Sequence, residues 1–500
     1  MPTYHSIHFG CRANQADTAA VERDLSQRGF QAAAQPDAAD VVVVNSCTVT
    51  AAADSELRQT VRRIHRENPN ARILVTGCYA QRRPEELAAM AGVEWVVGNS
   101  HKSEIARLLS NSCSSTERQR GAKSFVPLRS LLSSESLSMD SDLRRLGSIV
   151  PAADVAPPSC APTVLVGDIA AQRQFVAAPF FGGTVEDRTR PNLKIQDGCN
   201  NRCSFCIIPS VRGLSRSLPV ADVLAQIRAL VAAGYREVVL SGVNLGQYGR
   251  DLAGKTRFVP LLQTLLDATA VERLRLSSVE PMDFTDRLLD LMASTPRIAR
   301  HVHAPLQSGS DRILRRMHRK YRAAQYRERM LAAYQRMPEA AFGADVMVGF
   351  PGEMNEDFEA TRRLIEELPL TYLHVFPFSR RPGTPADRMK AQVNGVVSRE
   401  RSRILRELAS EKNLRFRERH LGRTLRLLTL SETASDGTLA LTDNYIKVII
   451  SGAPLRVNQW IRTRILSVAD GCLTGAGVDL EAELHRLEAD SPSMMTCASA

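Results

Sequence analysis

The chain has 500 residues, 44% of them apolar, and a formal net charge of +11, enough length for two to four domains with sizeable cores. Its longest apolar runs, such as "VVVV" at 41–44, are strand-sized and far short of the roughly 18 residues that span a bilayer. The N-terminus "MPTYHSIHFGC" lacks the charged-then-apolar pattern of a signal peptide. A cytoplasmic protein with no membrane association is expected, and its ten cysteines then serve metals or redox chemistry rather than disulfides.

Residues 1–109 read as three βα units. A strand near 4–9 leads to Cys11 and a helix from about 17 to 28. A second strand at 41–45 leads to Cys47 and a helix from about 51 to 66. A third at 72–77 leads to Cys78 and a helix beginning near Pro84, a residue suited to a first helical turn. Each cysteine falls just past the carboxyl end of its strand, and in an open parallel sheet those ends share one ligand-binding edge. Spacings of 36 and 31 residues would therefore gather Cys11, Cys47 and Cys78 into one dispersed site. Singly, each such cysteine is more often a small buried apolar group.

Residues 110–180 lose this pattern. Serine makes up 12 of the 40 residues from 110 to 149, and a Pro/Ala-rich stretch follows. That composition favours a flexible connection. Cys113, Cys160, Cys472 and Cys497 have no comparable setting and are read as incidental.

The segment "KIQDGCNNRCSFCIIPSVRG" places Cys199, Cys203 and Cys206 on one loop at x3 and x2 spacing. Three thiolates can cap three irons of a [4Fe–4S] cube, leaving the fourth without a protein ligand. Zinc would need a fourth Cys or His, and the nearest histidine in sequence is His301. The segment resembles the radical S-adenosylmethionine (SAM) signature. That resemblance implies that the open iron binds SAM and that an electron from the cluster splits it to a 5′-deoxyadenosyl radical.

Across 181–418, six strand-like segments run into polar or Gly/Pro-rich loops with amphipathic helices between them, arguing for a parallel βα array closed into a partial (βα)6 barrel. Gly242, Gly309, Gly349 and Gly352 fall in these loops, where either a close ligand or turn geometry requires glycine. The charge excess lies between 110 and 418, because 1–109 carries 12 basic and 12 acidic residues and 419–485 carries seven of each. Its densest part, 311–330, has eight basic and two acidic side chains; it either attracts a polyanion such as RNA or is a solvated barrel helix. After a charged helix at about 398–419, residues 419–485 read as a small all-β module, either an oligonucleotide-binding barrel or a structural cap. The tail, 486–500, is polar and frayed. The fold class is α/β.

Two three-cysteine sites and a terminal β-module together resemble the radical SAM methylthiotransferases over nearly the whole chain, apart from about 110–180 and the tail. The resemblance implies two [4Fe–4S] clusters, an auxiliary one on Cys11, Cys47 and Cys78 and a SAM-cleaving one on Cys199, Cys203 and Cys206. It also implies a TRAM-like RNA-binding module at the C-terminus. The segments around Cys47 and Cys78, with "TDNYIKV" in the module, look most like the branch that turns N6-threonylcarbamoyladenosine beside the tRNA anticodon into its 2-methylthio derivative. Other branches act on isopentenyladenosine in tRNA or on an aspartate of a ribosomal protein. A reading of another class is a non-catalytic iron–sulfur RNA-binding protein. The "GCRANQAD" segment around Cys11 carries Arg12 where the family commonly has Lys. By the family mechanism two SAM molecules are used per turnover, one as methyl donor and one as radical source, with an external electron donor such as flavodoxin or ferredoxin. Gly242, Ser278, Glu280, Gln307 and Gly349 are expected at SAM, although polar residues after strands also cap helices. Arg312, Arg315, Arg316 and Arg319 are expected at tRNA phosphates.

Overall fold

The structure, a computed structural model, describes residues 1–118, 162–172, 189–254, 256–434, 437–469 and 471–477. Most of the expected connection, with Cys160, lies outside them, as do the 486–500 tail with Cys497 and the Cys113 side chain.

The N-terminal domain is built on a parallel sheet. In chain order it runs β1 (Thr3–His8), α1 (Arg12–Gln27), β2 (Gln31–Ala32), β3 (Val41–Ser46), α2 (Ala51–Glu67) and β4 (Arg72–Gly77). Then come α3 (Cys78–Arg82), α4 (Pro84–Ala88), β5 (Val93–Gly98), α5 (Ile105–Arg118) and β6 (Thr163–Leu165). The strand order is β2-β1-β3-β4-β5-β6. β3 is buried at all six positions, as the centre of a sheet covered on both faces must be. Val42, Val44 and Val75 pack on one face, and Val41, Val43 and Leu74 on the other. α2 starts where the Thr50 side chain accepts the Ala53 N–H at 3.2 Å, a normal N-cap. One expectation is corrected: Thr163–Leu165, placed in the flexible connection, pairs with β5 and completes the sheet. Three residues between Pro/Ala-rich neighbours carry too little periodicity to register as a strand.

The second domain alternates β7 (Asn192–Asp197), α6 (Ile208–Arg212), β8 (Arg216–Ser217), α7 (Val220–Ala232), β9 (Glu237–Gly242), α8 (Phe258–Ala268) and β10 (Arg273–Leu276). It continues through α9 (Asp286–Ser294), β11 (His301–His303), α10 (Asp311–Arg316), α11 (Ala323–Arg336), β12 (Ala341–Val348), α12 (Asn355–Glu367), β13 (Tyr372–Pro377) and the long α13 (Gly395–Glu418). All pairings are parallel except that of the short β8, which runs antiparallel beside β7. An isolated bridge, Leu274 to Ile298, ties β10 to the segment leading into β11, so the six parallel strands follow one another as expected in two sheets. Val238, Leu240, Leu274, Val302, Ala344 and Val346 enter the core beneath the helices. Alternation therefore turns Glu237, Arg273, Arg275, His301, His303 and Asp345 to the opposite, inner face.

The C-terminal module is a closed barrel of β14 (Thr424–Ala434), β15 (Gly437–Thr442), β16 (Lys447–Ser451), β17 (Trp460–Ala469) and β18 (Cys472–Gly477). Closure leaves it no open edge. Phe416 of α13 enters its core. Arg275 donates to the carbonyls of Asp443 and Thr442 at 2.9 and 3.0 Å, fixing the β15–β16 turn under the inner face of the second domain. No helix among the described residues is long and apolar enough to cross a membrane.

Glu237 is fully buried and pairs with Arg275 at 2.8 Å, Arg273 at 3.2 Å and Arg190 at 3.7 Å. Burial alone would raise its pKa, but the three guanidiniums pull it down to about 2. Glu237→Gln leaves those cations uncompensated and should cost about 3–5 kcal/mol, the usual range for breaking a buried pair. The folded value lies below the unfolded ~4.3. The contribution is therefore complete above the unfolded value and lost as pH falls through about 2. The gap in thermal midpoint between wild type and variant should narrow on acidification from about pH 5 toward about pH 2; a gap independent of pH there would contradict this.

Candidate active site: two cysteine triads and an ionic lock

Cys11, Cys47 and Cys78 follow β1, β3 and β4, three neighbouring parallel strands. Cys11 is the N-cap residue of α1, Cys47 leaves β3, and Cys78 opens α3. They converge: the Cys47 thiol is pushed up to about 12, mainly by burial and further by Cys78 and Cys11. Gly10, at φ +87°, lies so close that an added Cβ would be 2.7 Å from the Cys47 sulfur. Only glycine lets this loop pass.

On the second domain Cys199 is buried, whereas Cys203 and Cys206 are partly exposed. The Cys206 thiol is raised to about 12, chiefly by burial and then by Cys203 and Cys199. Their loop is anchored by Ser204, whose N–H donates to Met317 O at 3.0 Å and whose hydroxyl donates to Arg316 O at 2.7 Å.

Both triads have what thiolate ligands require. Buried thiols this reluctant to ionise become good ligands when a metal takes the proton's place, and N–H donors toward sulfur stabilise the resulting charge. Arg319 Nη1 donates to Cys203 Sγ at 3.3 Å, and Asn201 N–H to Cys199 Sγ at 3.4 Å. Asn99 Nδ2 is 3.6 Å from Cys78 Sγ. The residues present fit an iron–sulfur cluster at each triad.

The triads are neighbours. Cys78 packs in one apolar cluster with Ile207 and Val211, the first of which directly follows Cys206, and Asn99 donates to Val211 O at 2.8 Å. Beside this contact lies a buried ionic network. Asp17 of α1 accepts from Lys102 at 2.8 Å, from Arg212 at 2.9 Å and from Lys194. Asp197 pairs with Arg212 at 2.8 Å and Lys194 at 3.0 Å. Burial would raise both carboxyls, yet the surrounding cations hold them well below the usual range. Arg212 is in turn held charged, against burial, by Asp197 and then by Cys78, Asp17 and Cys11.

A cavity of about 190 Å³ opens beside the second triad, lined among others by Asn201, Cys203, Asn244, Gln247, Glu280 and Arg319. The buried Oδ1 of Asn244 and Oε1 of Gln307 have no hydrogen-bond partner among the described residues, as expected for groups that await a polar ligand. Of the five residues expected at SAM, Glu280 lines this cavity, ion-paired to Arg319, and Gln307 carries one of the unpaired atoms. Gly242 ends β9, two residues before Asn244, and Ser278 follows β10 half-buried. Gly349 is explained by packing, because a Cβ there would meet Ser398 Oγ at 2.0 Å. Gly309 likewise abuts Thr361.

The four arginines expected at tRNA do not share a surface. Arg319 is buried against Glu280 and Cys203, which removes it from any phosphate. Arg312 bonds Asp357 and Gly352 O, and Arg316 bonds Pro351 O. Arg315 is exposed, and the ion-paired Arg312 side chain is partly so. Helical charge density cannot distinguish an outward cation from one turned under the helix. Asn244 and the Asp17 network were not anticipated as a site, and Arg319 was expected at tRNA rather than beside Cys203; the "SGVNLG" strand end was a signal for Asn244, while the partners of Asp17 lie 85 to 195 residues away.

Two family models match this chain. Residues 3–98 match "Uncharacterized protein family UPF0004", and residues 193–365 match the Radical SAM superfamily. Among solved structures, the radical SAM methyltransferase TsrM from Kitasatospora setae shares the fold at a TM-score of 0.52 and 15% identity, covering 77% of this chain and 75% of that one. The second domain is therefore a radical SAM domain, whose chemistry uses SAM and a [4Fe–4S] cluster. Threonylcarbamoyladenosine tRNA methylthiotransferase MtaB of Aquifex aeolicus is 36% identical over 88% of this chain and 94% of its own length. Its Bacillus subtilis counterpart is 34% identical over 93% of each. The tRNA-2-methylthio-N(6)-dimethylallyladenosine synthase of Thermobifida fusca is 35% identical over 83% of this chain and 76% of its own length. The chain belongs to the radical SAM methylthiotransferase family, in the branch of the MtaB proteins.

Asp17→Asn removes the carboxylate that balances Lys102, Lys194 and Arg212. The expected outcome is that iron and sulfide content after anaerobic reconstitution fall by about half, because the Cys11–Cys47–Cys78 site loses its alignment while the contiguous Cys199–Cys206 loop still loads. Full iron content in the variant would show that the network does not hold the dispersed site.

Proposed function

We propose that this chain is a tRNA-modifying enzyme that converts N6-threonylcarbamoyladenosine beside the anticodon into its 2-methylthio derivative. The carrying observation is the contiguity of the two triads, with Cys78 packed on Ile207 and Arg212 reaching from the radical SAM loop to Asp17. A sulfur-bearing site and a radical-generating site are useful together only if one substrate carbon can meet both. The names of the Aquifex and Bacillus relatives support the substrate, since the match extends over 88% and 93% of this chain.

The C2–H of adenine is too weakly acidic for a protein base, so a hydrogen atom must be removed instead. When bound, a cluster on Cys199, Cys203 and Cys206 supplies reductive cleavage of SAM, and a second [4Fe–4S] cluster on Cys11, Cys47 and Cys78 supplies sulfur. Two SAM molecules per product and an external electron donor such as flavodoxin or ferredoxin belong to this reading. Asn244, Gln307 and Glu280 orient SAM through their unpaired or cavity-lining oxygens. Arg319 holds Glu280 in place and donates to Cys203. The β-module takes the RNA-docking role of a TRAM-like domain, with the exposed Arg315 available to a phosphate. A second reading, dimethylallyladenosine in tRNA as substrate, is favoured by the Thermobifida relative.

Mass spectrometry of tRNA nucleosides tests this in a host unable to methylthiolate threonylcarbamoyladenosine. The 2-methylthio product should appear with the wild-type gene and vanish with Cys203→Ala or Cys47→Ala. Product only on dimethylallyladenosine would move the assignment to the second reading.

A further inference from the structure

Arg12 directly follows Cys11 and begins α1. Its carbonyl accepts Asn192 Nδ2 at 2.7 Å, which pins the residue against the radical SAM domain. Its Nη2 donates to the Tyr445 hydroxyl of the β-module at 3.3 Å. Its Nη1 is buried and has no hydrogen-bond partner among the described residues. Three domains thus meet at one residue, whose guanidinium has a donor to spare.

The surroundings are electropositive. The Arg275 and Arg190 guanidiniums stand 5.2 and 5.9 Å from the Tyr445 ring centre. Among the described residues Arg190 has one ion pair, at 3.7 Å to Glu237, which is also engaged by Arg273 and Arg275. Among the described residues Glu237 and Asp443 oppose the guanidiniums of Arg12, Arg190, Arg273 and Arg275, which leaves a positive excess. Tyr445 senses it: burial would raise its phenol, but Arg12, Arg190 and Arg275 bring the pKa below its ordinary value. Tyr445 is also held at φ +68°, a strained conformation for an aromatic residue and one found preferentially at functional positions. It remains 37% exposed, so the patch opens outward.

We infer that Arg12, supported by Arg190 and Tyr445, is the site that binds the carboxylate of the substrate's N6 substituent. This inference rests on the proposed function. A guanidinium fork matches a carboxylate in two parallel hydrogen bonds, and a desolvated cation excess gains most from an anion. The threonylcarbamoyl group carries such a carboxylate, whereas a dimethylallyl group carries none. Because Arg12 adjoins a ligand of the dispersed triad, an adenine presented to that triad brings its N6 substituent within this region. A polar site built for a charged group also rejects analogues lacking it, since its own donors then stay unpaired.

The same chemistry could be met by an RNA backbone phosphate, and the test separates the two. Reconstituted enzyme is assayed on an anticodon stem-loop bearing threonylcarbamoyladenosine and on the same stem-loop with that carboxylate methyl-esterified. Wild type should prefer the free carboxylate by about 10- to 100-fold in kcat/KM. Arg12→Gln should lose about that factor on the acid, show little change on the ester, and so bring the preference close to unity; Arg12→Lys should recover part of it. Iron content and substrate-free SAM cleavage are measured alongside, so that cluster loss is recognised. If Arg12→Gln loads poorly, Arg190→Gln and Tyr445→Phe, which lie off the cysteine loops, carry the same comparison and should each weaken the preference. An equal loss on acid and ester would assign the site to phosphate and overturn the inference, as would an unchanged preference. Wild type inactive on the threonylcarbamoyl stem-loop would instead refute the proposed substrate, a result separate from any variant.

Discussion

Asp17 is the point on which the two halves of the molecule are fixed to one another. It projects from the first helix of the N-terminal sheet and is about 2% exposed, yet it stays ionised because Lys102, Lys194 and Arg212 surround it. Lys102 belongs to the same domain as Asp17, whereas Lys194 and Arg212 belong to the radical SAM domain and need both Asp17 and Asp197 to balance them, so the full network closes only when the domains are docked. Such a network is weak evidence of stability, because removing two carboxylates and three cations from water costs much of what their attraction returns. Its value is directional. An apolar interface could slide by a side chain's width, whereas an ion set with bond lengths near 2.8 Å admits one register.

That register determines where sulfur lies. Arg212 belongs to the short helix after the Cys199–Cys206 loop, and its charge is maintained partly by Cys78 and Cys11 across the boundary. The cationic side of the network thus faces the dispersed triad. The buried Cys47 thiol resists ionisation without a counter-charge. Metal loading, thiolate formation and domain docking therefore favour one another, since each supplies the charge that another needs. Three cysteines drawn from three strands can act together for this reason, although none is near another in sequence.

Much of the site was legible because its signals are local. The x3 and x2 spacing of one triad is contiguous, and the other follows from a rule about strand ends, which needs only the strands to be recognised. β3 and β4 are apolar enough to be recognised. Tertiary geometry decided the rest. Arg319 and Arg315 lie on the same basic stretch, but one follows the end of α10 and turns in to Cys203, and the other faces solvent; charge counting cannot separate them. Gly349 and Gly309 read as equally suited to a ligand or to packing, and Ser398 and Thr361 occupy the space. β6 was missed because its three residues gain their strand character from pairing with β5.

The C-terminal module carries no net charge excess, which argues against treating it as an electrostatic RNA clamp. Its contacts suggest a different contribution. Trp460 bonds Glu272, Asn458 bonds Gly234 O, and Asn444 bonds Glu339 O, so the module grips three loops of the radical SAM domain on one side. The β15–β16 turn then delivers Tyr445 to the inner face, between Arg12 and His301. A module held this way supplies part of the wall. The positive charge needed to meet an anionic substrate is contributed by the other two domains, and the module positions it through an aromatic side chain that is itself neutral. Substrate choice in this architecture thus depends on how three domains close on one arginine.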